Sequence, residues 1–98
     1  MPAAAIGLLR DPDIEMSLTR LSAPILQAAG LNPKRVRVLV VNDGALNAFV
    51  VDNQTIFLNY GLINRVDSAR AVQAVIAHEA AHIANGHIAR RMANLKSA

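Results

Sequence analysis

Three features of the sequence predict an α+β fold, a helix followed by a small three-stranded sheet and then a long second helix. An apolar stripe of four turns lies between Asp11-Pro12 and Gly30. A cluster of β-branched residues broken by turn residues runs from Val36 to Leu58. An almost unbroken aliphatic run then extends from Ala71 to Ala84. The chain of 98 residues is the size of one domain, near the low end of what buries a self-sufficient core. With 53% hydrophobic and 17% charged residues, it is too apolar to be a disordered segment.

The stretch Met1–Leu9 is apolar but short, lacks a basic leader and shows no cleavage site, so it is not read as a signal peptide. No run of eighteen apolar residues predicts a transmembrane helix. Asp11 is placed to cap the first helix, with Pro12 at its first position and Asp13 and Glu15 near the positive end of its dipole. Ile14, Leu18, Leu21, Ile25 and Ala28 form its apolar stripe, and Gly30 ends it. This helix is read as scaffold, because its polar face carries no converging chemistry.

Val36–Val41 reads as a largely buried strand, and Asn42-Asp43-Gly44 as a turn. Ala48–Val51 and Thr55–Leu58 read as a hairpin joined by Asp52-Asn53-Gln54. The first strand is expected beside the third, which leaves Ala48–Val51 at the sheet edge. Leu62–Val66 is expected to be a short connector. The second helix is expected from Ser68 to Asn94, capped by Asp67 or Ser68. Because it is aliphatic nearly all round, it is expected to be buried.

That helix carries the chemistry. Between Ala71 and Ala84 its only residues that are not aliphatic are Gln73, His78, Glu79 and His82. At about 100° per residue, Glu79 falls in the sector of Val72, Val75, Ile76 and Ile83, while His78 and His82 lie about 40° apart on the adjoining face. His78-Glu79-Ala80-Ala81-His82 is an H-E-x-x-H pattern. Histidines at i and i+4 can each offer a ring nitrogen to one tetrahedral zinc ion, and the intervening glutamate is angled to reach the water that the metal activates. His87 lies five residues after His82 and about 140° round the helix, so it is not expected to be a third ligand. Gly86 directly precedes it, which also departs from the metzincin spacing.

Other classes are excluded by composition. The chain has no cysteine, so disulfides and thiolate metal sites do not arise. Ten Lys/Arg against seven Asp/Glu give a net charge of +3, but three aromatic residues and no basic stripe make no nucleic-acid footprint.

The run from Asn47-Ala48-Phe49, through Thr55-Ile56-Phe57-Leu58 and Gly61-Leu62, into Ala74-Val75-Ile76-Ala77-His78-Glu79-Ala80-Ala81-His82 resembles the HtpX and CAAX-prenyl-protease family of zinc metallopeptidases, peptidase family forty-eight, of the gluzincin type. The continuation Ile83-Ala84-Asn85-Gly86-His87-Ile88-Ala89-Arg90-Arg91 looks more like the soluble bacterial members of the BepA and LoiP kind. The resemblance implies that His78 and His82 bind zinc, that Glu79 is the catalytic glutamate, and that the edge strand Leu46–Val51, around Asn47, Ala48 and Phe49, holds an extended substrate by β-augmentation. It also implies protein or peptide substrates and a place in the bacterial cell envelope or periplasm; membrane attachment of the parent is left open.

One departure accompanies the resemblance. Gluzincins take a third ligand from a glutamate on a later helix, and the only glutamates here are Glu15 and Glu79. Residues 1–98 are therefore expected to be the N-terminal half of a zincin-like catalytic domain, inactive alone, with the third zinc ligand outside this chain. The wall around Val72, Ile76 and Ile83, or the far face of the sheet, is expected to be part-exposed and to drive self-association. The alternative reading is a non-catalytic relative that binds partners along its sheet edge.

Overall fold

A computed structural model describes residues 7–97, and the first six residues of the Met1–Leu9 stretch lie outside the described residues. The architecture is α+β, as expected. In chain order it comprises α1 (Pro12–Ala28), β1 (Arg37–Val41), β2 (Ala48–Val51), β3 (Thr55–Asn59), α2 (Tyr60–Arg65) and α3 (Ala69–Ser97).

Helix α1 begins and ends where its local chemistry dictates. Asp11 Oδ1 accepts from the N–H groups of Asp13 (2.9 Å) and Ile14 (3.2 Å), and Pro12 occupies the first turn. At the other end Gly30 takes a φ of +79°, Gly30 N–H donates to the Gln27 carbonyl (3.0 Å), and Leu31 N–H donates to the Leu26 carbonyl (2.9 Å). That pair of bonds is a Schellman cap, and the buried Leu26 and Leu31 form the apolar contact that goes with it.

The sheet order is β1–β3–β2. β1 pairs parallel with β3 from Arg37↔Thr55 to Val41↔Asn59, and β2 pairs antiparallel with β3 from Ala48↔Leu58 to Val51↔Thr55. The first strand thus lies beside the third and Ala48–Val51 is at the edge, as the sequence predicts. Asp52 and Asn53 take φ of 58° and 60°, the paired left-handed conformation of a tight hairpin turn, which Asn and Asp tolerate better than most residues. The two sheet edges differ. Residues 7–9 run along the outer side of β1, with Leu9 N–H donating to the Val40 carbonyl (2.9 Å) and Asn42 N–H to the Gly7 carbonyl (2.7 Å). Among the described residues no strand pairs with the outer side of β2.

The core lies between one sheet face and the two long helices. Leu18 and Leu26 of α1, Val38 and Val40 of β1, Ile56 and Leu58 of β3, and Val72, Ile76, Ala80 and Ile83 of α3 form a single buried cluster. Gln73 Nε2 donates to the Leu21 carbonyl (3.1 Å), which ties the two helices together.

Three expectations need correction. Residues expected as a connector begin within a six-residue helix, α2, reached directly from β3. The wall of Val72, Ile76 and Ile83 is 9%, 0% and 0% exposed, so it is covered by the sheet and α1 rather than left open. Helix α3 is not buried all round: Ala74, Ala77 and Ala81 are exposed with the histidines. The aliphatic character of that face is alanine, whose single methyl group costs little in water and whose high helix propensity keeps the helix regular. Among the described residues, no helix is long and apolar enough to cross a membrane.

Candidate metal centre

Ser68 starts α3, its Oγ accepting from Ala71 N–H (3.1 Å). From there the helical period sorts the side chains. Val72, Ile76, Ala80 and Ile83 turn into the core, and Glu79 turns with them, only 8% exposed. His78 and His82 stand on the exposed face one turn apart.

The two imidazoles converge. Their Nε2 atoms are 3.2 Å apart, with ring centroids 4.7 Å apart and ring planes at 87°. Without a metal this separation is a hydrogen bond in which one ring donates and the other accepts, by choice of tautomer. It is also the separation that a shared ion demands. Two nitrogens at about 2.0–2.1 Å from one tetrahedral zinc are about 3.3 Å apart. The separation of the pair therefore fits two ligands of one metal ion.

Glu79 has no hydrogen-bond or ion-pair partner among the described residues, though it lies in an apolar stripe. Neither carboxylate oxygen is sealed from solvent, so the head group of this mostly buried side chain still reaches water. Its position between the histidines in sequence and behind them on the helix suits a base acting beside the metal rather than a ligand to it.

His87 does not join the pair. It lines a hollow with Gly30, Leu31, Asn53 and Gln54 on another side of α3. Among the described residues no group of three His, Cys, Asp or Glu side chains is placed to hold a metal. His78 and His82 could thus supply two protein ligands where a catalytic zinc normally takes three.

The strand expected to hold substrate lies close to this helix, and α3 packs against β2. Asn59 N–H donates to the Asn47 carbonyl (3.0 Å), so the peptide groups of Asn47 face β3. Successive residues alternate along an antiparallel ladder, so Ala48 and Val50 turn their peptide groups to the open edge. Ala48 N–H is already taken by Asn47 Oδ1 (2.9 Å). The Phe49 ring stacks on Phe57, with centroids 5.1 Å apart and planes at 23°. Ala48 and Val50, not Phe49, pack against the core shared with α3. Of the three residues implicated by sequence, Ala48 therefore turns its backbone to the open edge, Asn47 caps it, and Phe49 anchors the strand on the far face. Val50 lies within the expected edge strand Leu46–Val51, and strand register adds that its peptide groups face outward.

Sequence reasoning missed Asn59, which is 4% exposed with its Oδ1 buried and unpartnered at the junction of β3 and α2. An asparagine at the end of a strand looks like a turn residue, and nothing in its neighbours signals burial.

The family model for peptidase family M48 matches residues 9–97, a span that takes in both long helices, the sheet and the histidine pair. This chain belongs to peptidase family M48, a family of proteases that are generally zinc-dependent.

Proposed function

We propose that the protein is a zinc-dependent endopeptidase in which His78 and His82 hold the metal, Glu79 is the general base, and the open edge of β2 binds an extended stretch of a protein substrate. The observation that carries this reading is the 3.2 Å approach of the two Nε2 atoms on the helical turn that also carries Glu79. On this reading the third ligand is a carboxylate supplied from outside the 98 residues, and the isolated chain is inactive. The sequence after His82 favours the BepA and LoiP kind within the family, and with it a bacterial envelope location and protein substrates.

A bound zinc ion supplies Lewis acidity, which polarises the scissile carbonyl and makes water a usable nucleophile at neutral pH. The chain's own residues do the rest. The outward peptide groups of β2 hold the substrate extended, so that its backbone passes the histidines at a fixed height. Glu79 accepts a proton at its carboxylate oxygen as water attacks the peptide carbon. It then delivers that proton to the nitrogen of the leaving amine as the C–N bond breaks.

The test uses the full-length protein and three variants. Glu79→Gln should keep its zinc and lose about 10²–10⁴-fold in peptide cleavage. His82→Ala should lose metal and cleavage together, and His87→Ala should change neither. A Glu79→Gln protein that cleaves at the wild-type rate would end the reading. Zinc binding without turnover in the wild type would favour the non-catalytic, partner-binding alternative.

A further inference from the structure

The turn between β1 and β2 is strapped to the start of α2. Gly61 N–H donates to the Asp43 carbonyl (2.9 Å), and Asn59 N–H to the Asn47 carbonyl (3.0 Å). Inside the turn, Ala45 N–H donates to Asp43 Oδ1 (2.8 Å). The approach is closest at Gly61. A Cβ built there would overlap the Gly44 carbonyl group and lie 2.9 Å from the Ala45 carbonyl oxygen. Backbone fills that space, and backbone cannot swing aside as a long side chain can. Gly86 makes the contrast, since a Cβ there would meet only Asn53 Oδ1 at 3.7 Å, an ordinary contact. The left-handed glycine is Gly30, so it is space rather than φ that requires glycine at 61.

We propose that Gly61 is a positioning residue for peptide capture: by letting residues 43–46 lie against the first turn of α2, it fixes where the edge strand begins and hence the register in which an extended peptide passes His78 and His82. The proposal rests on the edge-strand reading above. The path from cause to effect is short. Gly44 and Ala45 touch the Gly61 position, Asn47 is held by Asn59, and Ala48 is the first residue of β2. A turn pushed outward at Gly44 therefore reaches the strand within a few residues. In a strand, a shift of one residue in pairing turns every side chain of the partner to the opposite face. A peptide docked on a displaced edge would offer the histidines a different bond, or none.

The test uses full-length, zinc-loaded protein. Gly61→Ala is made in a Gly86→Ala background, whose gain in helix propensity offsets part of any loss of stability. The KM for an extended peptide should rise about tenfold while kcat and zinc content stay within about twofold, the signature of lost binding rather than lost chemistry. The bond cleaved in a long peptide should also shift. Val50→Pro, which removes an outward donor of the edge, tests the underlying reading separately and should raise KM by itself. If Gly61→Ala melts earlier yet keeps its KM and cleavage position while Val50→Pro raises KM, Gly61 is structural only and the proposal is overturned. If Val50→Pro leaves KM unchanged, the edge-strand reading fails and the proposal falls with it. Should Gly61→Ala not fold, Asp43→Ala loosens the same turn without a clash, with the same expected result and the same result overturning it.

Discussion

Along one side of α3, Val72, Ile76, Ala80 and Ile83 pack into the core. Along the other, Ala74, Ala77, His78, Ala81 and His82 are exposed. Both sides are built mostly of aliphatic residues, so composition does not tell them apart. Side-chain size does. The buried side uses branched residues with large areas to withdraw from water, while the exposed side uses alanine, which holds the helix straight and leaves room around the histidines. Core packing and the histidine pair thus occupy different faces of one helix. Glu79 is the exception, a carboxylate-bearing side chain set into the packing face.

The contrast can be broken first at its strongest point. Ile76 is fully buried, and Ile76→Ala should cost about 2–5 kcal/mol of unfolding free energy. In a domain of this size each kcal/mol corresponds to about 4–8 °C in Tm, so thermal unfolding reads the effect directly. A loss below about 1 kcal/mol would show that this face is not the core.

Glu79 sharpens the comparison, because it belongs to the packing face by position and to the histidine pair by proposed role. Glu79→Met replaces a carboxylate that still reaches water with an apolar chain of similar length. It should change stability by no more than about 1 kcal/mol in denaturant unfolding while removing the proposed general base. A variant destabilised by more than that would mean that the carboxylate is held for the sake of the fold.

The smallest effect lies away from α3, where charge serves stability alone. Arg10 Nε and its terminal nitrogen contact Glu15 Oε2 and Oε1 at 2.6 and 3.1 Å. The hydrogen bonds from Arg10, and then its positive charge, hold the Glu15 carboxyl below its ordinary value. A depressed carboxylate stabilises the fold above its unfolded pKa, and that contribution disappears as pH falls through the folded value. Wild type should therefore be slightly more stable than Glu15→Gln at pH 7, and the difference should vanish in strong acid. A Tm difference that persists unchanged at pH 2 would assign the effect to something other than this ion pair.

Much of the architecture is written in local chemistry. Asp11-Pro12 and Gly30 bound α1 because capping and left-handed termination involve only a few neighbouring residues. The edge position of β2 was legible because a three-residue link between Val51 and Thr55 makes a hairpin, and the buried β1 then has one place left beside β3. The histidine pair was legible because a helix converts a spacing of four into a shared face. α2 was not, since Gly61 and Asn59 argue against a helix locally and the turn packed against them is seen only in three dimensions.

The sequence by itself determined the ends of α1, the hairpin, the fold class and the alignment of His78 with His82, because each depends on torsions and contacts within a few residues. Tertiary structure alone decided which face of an evenly aliphatic helix is covered, which peptide groups of β2 are free, and why residue 61 has no side chain. Those depend on what the chain brings up from far along its length: β3 and α1 against α3 in the first case, strand register in the second, and the Gly44 carbonyl in the third.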